Sequence, residues 1–209
     1  MKVLIVDDHA VVREGLKFIL SQLPNCDHVG EAAEGQEALR MVREDEWDIV
    51  LLDVGLPDKN GLDVLKRLKH EKPNLPVLIL SMFPEDQYAI RVLRAGASGY
   101  LTKESAPDQL LSAIELAVAG GKYVSPGVAA QLVAGLEGRS GEALHESLSD
   151  REFQILRMIA TGSTVGEIAA QLNLSVKTVS SYRTRVLEKL QLKNNAQLMV
   201  YAMTHGLLS

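Results

Sequence analysis

The sequence predicts two domains: an α/β unit built on a five-stranded parallel sheet, then an all-α unit. Three observations carry this. Five short apolar runs alternate with amphipathic segments as far as Ala119, as strands and covering helices do in a parallel sheet. Beyond Gly120-Gly121 no strand candidate remains, and helix-opening caps follow one another. The charge divides similarly: residues 1–147 hold 15 Lys and Arg against 23 Asp and Glu, whereas residues 148–209 hold 7 against 4. An acidic unit followed by a basic one fits a regulatory domain joined to a nucleic-acid binder. At 209 residues the chain exceeds the usual size of one domain. Its 4 % aromatic content suits α/β or all-α packing better than an aromatic-rich β-sandwich.

The predicted strands are Val3–Val6, a weaker His28–Ala32, Asp48–Leu52, Val77–Leu80 and a weaker Ser98–Leu101. Between them, apolar residues recur at spacings of three and four. They are Val12, Leu16, Ile19, Leu20 and Leu23 in a helix over Val11–Leu23, and Leu62, Leu65 and Leu68 in one over Asn60–His70. Tyr88, Val92 and Leu93 mark a helix over Glu85–Ala95, which Gly96 is placed to end in a left-handed conformation. Leu110, Leu111, Ile114 and Val118 mark the helix Pro107–Ala119. Ser125-Pro126 then reads as an N-cap with proline at the first helical position. Val128, Ala129, Leu132, Val133 and Leu136 give that helix an apolar face, and the small polar stretch 138–147 reads as a linker. The predicted division is thus 1–121, a linker with a helix at 122–147, and 148–209.

Parallel α/β sheets gather ligand-binding groups at the carboxyl ends of their strands. Here those ends carry Asp7 and Asp8, Asp53, Ser81 and Lys103. Crowded carboxylates call for a cation, and Mg²⁺ takes one or two carboxylates together with water and phosphate oxygens. An aspartate can act as the nucleophile and become an aspartyl-phosphate, with a lysine to neutralise the transferred group and a hydroxyl to hydrogen-bond it. Any one of these aspartates alone could be an ordinary strand-end residue; the set at one edge points to phosphoryl acceptance at Asp53.

The segments VLIVDDH, DIVLLDVGLPDKNGLDVL, the strand ending in Ser81 and GYLTK ending at Lys103 resemble the receiver domain of two-component response regulators, over residues 1 to about 120. The resemblance implies a flavodoxin-like sheet of order 2-1-3-4-5. It also implies a phosphoacceptor at Asp53 and Mg²⁺ held by Asp8, Asp53 and the backbone carbonyl of Gly55, with Asp7 acting mainly through water. Lys103 would pair with the phosphoryl group, and Ser81 with Tyr100 would form the switch. Glu104 stands where many receivers have proline. Gly55 and Phe83 occupy positions that in receivers tend to set how easily water reaches the phosphoryl group.

In the second unit Ser149 with Glu152 and Thr164 with Glu167 form capping boxes, Leu148 is placed to staple onto Phe153, and Ser175 caps a third helix, Val176–Leu190. Ile168, Ala169, Leu172, Leu174 and Val179 fall where a helix-turn-helix must bury side chains, and Asn173 tolerates a left-handed turn. The exposed face of the third helix then holds Lys177, Ser180, Ser181, Thr184 and Arg185, with Tyr182 and Arg183 toward its edges. Charge mixed with short polar groups suits phosphates and base edges of the major groove. The segment from LSDRE through EIAAQL, LSVKTV and EKLQLKN resembles the LuxR-type helix-turn-helix of NarL/FixJ response regulators, over residues 148 to about 202. It departs at Val165-Gly166, Ser180 and Tyr182. The resemblance implies DNA contact from Lys177, Thr178, Ser180, Ser181, Tyr182, Arg183, Thr184 and Arg185.

The expected partners are double-stranded DNA, a sensor histidine kinase and a second copy of the chain on phosphorylation. The expected chemistry is limited to the chain's own phosphoryl acceptance and dephosphorylation. Two other readings are a phosphorylation-controlled interaction switch whose helical domain only dimerises, and a phosphatase of the phosphoaspartate type. A dimeriser lacks the steep fall of DNA affinity with salt, and the sequence offers no cap domain for a phosphatase. One cysteine, Cys26, excludes an intrachain disulfide and suits a reducing compartment. His28, His70, His145 and His205 share no ligand spacing, so no transition metal is assigned, and His9 reads as an exposed helix-start residue rather than a metal ligand. No stretch approaches the ~20 apolar residues of a membrane helix, and Val3–Val6 is too short for a signal segment; a cytoplasmic protein is expected.

Overall fold

The computed structural model of the chain describes residues 1–82, 85–105, 107–136, 144–172 and 174–208. They fall into two compact units, Met1–Leu132 and Val133–Ser209.

In the first unit, β1 (Lys2–Val6), β2 (His28–Ala32), β3 (Ile49–Asp53), β4 (Val77–Ser81) and β5 (Gly99–Thr102) form one sheet of order β2-β1-β3-β4-β5, every pair parallel. Strands β3 and β4 are buried at every residue. That is why they read as unbroken apolar runs, since helices cover both faces of a parallel sheet. The edge strand β2 alternates between half-buried and buried positions, which explains its weak signal.

The helices are α1 (Ala10–Leu20), α2 (Gly35–Glu44), α3 (Gly61–Glu71), α4 (Glu85–Arg94) and α5 (Pro107–Val118). On one face Val3, Ile5, Ile49, Leu51, Leu78, Leu80 and Leu101 pack with Leu16, Leu20 and Leu23 of the α1 segment and with Leu110, Ala113, Ile114 and Ala117 of α5. Helix α1 ends three residues before the predicted boundary. The buried stripe of α5 runs through Ala113 and Ala117, whereas Val118 is 42 % exposed rather than inward. Helix α2 has no place among the predicted elements, yet it buries Ala38, Leu39 and Val42.

After α5, Tyr123 pairs in parallel with Gly99, and its N–H donates to the Ser98 carbonyl at 2.8 Å. Helix α6 (Pro126–Leu136) follows, with Ser125 Oγ accepting from Val128 N. Val128 is buried and Ala129 and Leu132 are half-buried, as the predicted apolar face requires, but Val133 is 56 % exposed, and the Leu136 side chain lies outside the described ones. Most of the predicted linker, 138–143, lies outside the described residues, and Leu144–Ser147 forms a short 3-10 helix.

The second unit contains α7 (Asp150–Ala160), α8 (Val165–Gln171), α9 (Val176–Lys189) and α10 (Asn195–Thr204). Both predicted capping boxes are formed, at Ser149/Glu152 and Thr164/Glu167, and Ser175 Oγ accepts from Thr178 N at 3.0 Å. Leu148 and Phe153 are both buried. The core holds Ile155, Leu156, Ile159, Ile168, Ala169, Leu172, Val179, Val186 and Leu198. Leu174 is half-buried rather than buried, and Asn173 lies outside the described residues. Among the described residues no helix is long and apolar enough to cross a membrane.

Candidate functional site

Strand register determines where the polar residues of the first unit meet. Asp53 ends β3, Ser81 ends β4 opposite Thr102, and the next residue, Lys103, donates its backbone N–H to the Ser81 carbonyl at 2.8 Å. Asp7 and Asp8 follow β1, the neighbour of β3. The structure therefore brings Asp7, Asp8, Asp53, Ser81 and Lys103 to one edge, as the sequence predicts.

Lys103 Nζ sits between two aspartates. It donates to Asp53 Oδ2 at 2.9 Å and lies 2.6 Å from Asp7 Oδ2, the latter an ion contact off the hydrogen-bonding direction. Asp7, Asp53 and the Lys103 side chain are all largely buried. Burial pushes the Asp53 carboxyl above the usual carboxylate range, while the Lys103 charge and the Gly55 N–H pull against it. Burial alone would lower the Lys103 ammonium, but Asp53 and Asp7 hold it above its ordinary value.

A hard cation fits this site. One ligand atom each from Asp7, Asp8, His9 and Asp53 lies within 4.8 Å of the others, and Asp7 Oδ2 and Asp8 Oδ1 are buried oxygens that accept no hydrogen bond. Carboxylate oxygens gathered at this spacing suit Mg²⁺ or a similar oxygen-seeking ion. His9 is the N-cap of α1, with a side chain 66 % exposed; its Nδ1 stands 2.7 Å from Asp8 Oδ1 and its backbone N–H donates to Asp7 Oδ1. Ser81 and Tyr100 are each 1 % exposed, so both face inward, and Phe83 lies outside the described residues. Glu104 is exposed.

Sequence reasoning missed Arg13. Its Nη1 donates to the Asp7 carbonyl at 2.7 Å and its Nε to Glu31 Oε2 at 2.9 Å, tying the turn after β1 to β2. Its place one turn into α1 was the only signal, and an arginine there reads as an ordinary surface residue.

In the second unit α9 presents Lys177, Ser181, Thr184 and Arg185 as exposed residues, with Thr178, Ser180, Tyr182 and Arg183 half-buried beside them. Arg185 lies over the Tyr182 ring at 5.7 Å, and Arg183 Nε donates to Asn195 Oδ1 of α10 at 2.6 Å. Ser181 Oγ and Thr184 Oγ1 donate to the Lys177 and Ser180 carbonyls. Their protons are spent within the helix, and their lone pairs face outward as acceptors.

The acidic strand-end site and the capped helix pair find their counterparts among known proteins. Residues 3–115 match the family described as response regulator receiver domain, and residues 146–202 match bacterial regulatory proteins of the luxR family. The chain belongs to the response regulators of the NarL/FixJ type, a receiver followed by a luxR-family helix-turn-helix. It is 38 % identical over 208 residues to response regulator UvrY of Escherichia coli, covering 99 % of this chain and 95 % of that protein. It is 37 % identical to response regulator GacA of Pseudomonas aeruginosa, covering 99 % and 97 %. Among solved structures it resembles RcsB from Salmonella enterica serovar Typhimurium bound to promoter rprA in the presence of phosphomimetic BeF3- (TM-score 0.62, 27 % identity, 97 % and 98 % covered). It also resembles a two-component response regulator of the LuxR family from Aurantimonas sp. SI85-9A1 (TM-score 0.60, 36 % identity, 65 % and 96 % covered).

Proposed function

We propose that this response regulator accepts a phosphoryl group on Asp53 from a sensor histidine kinase and, so modified, binds promoter DNA through α9 as a dimer in the cytoplasm. The observation that carries the reading is Lys103 Nζ held between Asp53 and Asp7 at the strand ends, with the Asp8 carboxylate gathered beside them.

An Asp53 carboxylate oxygen attacks phosphorus, the bond from phosphorus to the kinase histidine nitrogen breaks, and the released imidazole takes up a proton from solvent. Asp7, Asp8, Asp53 and the Gly55 carbonyl would hold Mg²⁺, which when bound supplies positive charge to the crowded carboxylates and the incoming phosphate. Lys103 releases Asp53 and pairs with a phosphoryl oxygen, keeping its hold on Asp7. Ser81 follows the phosphoryl group, and Tyr100, two residues along β5 from Thr102, the partner of Ser81, biases the surface near α4 and α5. Residues 1–121 then serve as the receiver, 122–147 as the linker and 148–209 as the DNA-binding unit. The promoter complex of RcsB supports the DNA assignment. The chain's catalysis is confined to its own phosphoryl acceptance and dephosphorylation.

The deciding experiment uses Asp53→Asn, nearly isosteric and unable to form an acyl phosphate. Incubated with acetyl phosphate and Mg²⁺, wild type should gain one phosphoryl mass and the variant none. Labelling of the variant at the wild-type level would remove Asp53 from its role. A chelator should abolish labelling of the wild type, because carboxylates alone repel the donor.

A further inference from the structure

The loop between β3 and α3 carries Gly55, and its two ends are fixed tightly. Gly61 N donates to the Val54 carbonyl at 3.0 Å, closing the loop on itself, and Asn60 caps α3 through Leu62 N. The tip is fastened by a different device. Asp58 Oδ1 accepts from Gly35 N at 2.8 Å and Oδ2 from Gln36 N at 2.9 Å. These are the first two amides of α2, whose own N-cap residue, Glu34, makes no side-chain cap. One carboxylate on two consecutive N–H groups at a helix N-terminus is favoured by the unpaired amides and by the helix dipole. The helix end is seated closely: a Cβ on Gly35 would stand 2.5 Å from Val64 Cγ2 and 3.4 Å from Asp58 Oδ1.

We propose that Asp58 is a positioning residue for the metal site, acting by holding the Gly55 backbone in place. The proposal rests on the reading of Asp53 and Gly55 given above. Gly55 lies three residues before Asp58, and its carbonyl is the backbone ligand assigned to Mg²⁺. The other groups of the site need no help from Asp58. Asp53 ends β3, Asp7 follows β1, and Lys103 follows β5, all held by the sheet. Releasing the loop tip therefore loosens one ligand and leaves the reacting carboxylate and its lysine in place. The effect falls on metal affinity and spares the rate once metal is saturating.

The test compares full-length wild type, Asp58→Ala and Asp58→Asn, which keeps one acceptor oxygen. Labelling by acetyl phosphate is followed against Mg²⁺ concentration, and the Gly55 amide resonance is titrated separately with MgCl₂ and no donor. Asp58→Ala should raise the Mg²⁺ midpoint about three- to tenfold in both readouts, less than removing a direct partner of a ligand does. Its saturated rate should stay within about twofold of wild type. Asp58→Asn should fall between, and carries the test if the alanine variant does not fold. An unchanged midpoint, with or without a loss of thermal stability, reduces Asp58 to a helix cap and overturns the proposal. So does a lower saturated rate at an unchanged midpoint. Asp53→Asn, run in parallel, decides the phosphoacceptor separately, since the Gly55 titration needs no phosphoryl transfer.

Discussion

A methyl group at position 61 would stand 2.2 Å from the carbonyl oxygen of Asp53 and 2.6 Å from the Cα of Val54. Both are backbone atoms, so neither can rotate aside. Gly61→Ala should therefore destabilise the first unit by about 1–3 kcal/mol, measured by urea unfolding, and slow labelling of Asp53 as β3 shifts. A variant as stable as wild type would show that the loop can open at no cost. The sequence carried the identities of Asp53 and Lys103 because strand ends are fixed by apolar runs. It did not carry the partnership between Lys103 and Asp7, for which the resemblance implied only a metal-side role. Nor did it carry Arg13 or Asp58, whose partners lie 18 and 23 residues away, or nearer only through a folded turn.

Helix ends show the same limit one level up. Helix α4 closes on Gly96 at φ +101°, with Gly96 N–H on the Leu93 carbonyl and Ala97 N–H on the Val92 carbonyl, a Schellman pattern predicted from the glycine itself. Helix α9 closes in the same way, Gln191 N–H on Glu188 and Leu192 N–H on Leu187, but at a non-glycine residue with φ +57°. Gln191→Gly should stabilise the second unit by up to about 1 kcal/mol, read from the urea midpoint. A loss of stability would mean that the side chain contributes more than the left-handed backbone costs. Helix α2 escaped prediction because its cap comes from Asp58, and α10 because its apolar residues form no clean stripe: Met199, Val200 and Met203 are exposed. The capping box of α7 adds a pH dependence. Burial alone would raise the Glu152 carboxyl, but Lys189 Nζ at 2.6 Å and the Ser149 amide hold it below its usual value. Its stabilisation is present above the unfolded carboxylate range and lost as pH falls through the lower folded value. Glu152→Gln should flatten the acid limb of the stability curve for this unit, and an identical limb would assign the acid sensitivity elsewhere.

Across the whole chain the charge division matches the two kinds of chemistry proposed: carboxylates gather at the edge assigned to phosphate and metal, and basic residues gather on the helix assigned to DNA. On that helix the exposed side chains divide further. Lys177 carries a full charge on a flexible stem and is suited to a phosphate, whereas Ser181 offers an acceptor oxygen, because its proton is bound to the Lys177 carbonyl. Lys177→Ala should weaken binding to all sequences alike and reduce the slope of log affinity against log salt by about one. Ser181→Ala should leave the slope intact and cost about 1 kcal/mol only at the base it faces. That base should present a donor edge, the N4 amino group of cytosine or the N6 amino group of adenine. Two recognition helices related by a two-fold axis require half-sites about one helical turn apart, so inserting about five base pairs between them should remove the cooperative part of binding. The measurement is binding of phosphorylated wild type and both variants to a randomised site library at several salt concentrations. A Ser181→Ala variant that lowers the salt slope while leaving base preference unchanged would reverse the assignment of the two residues.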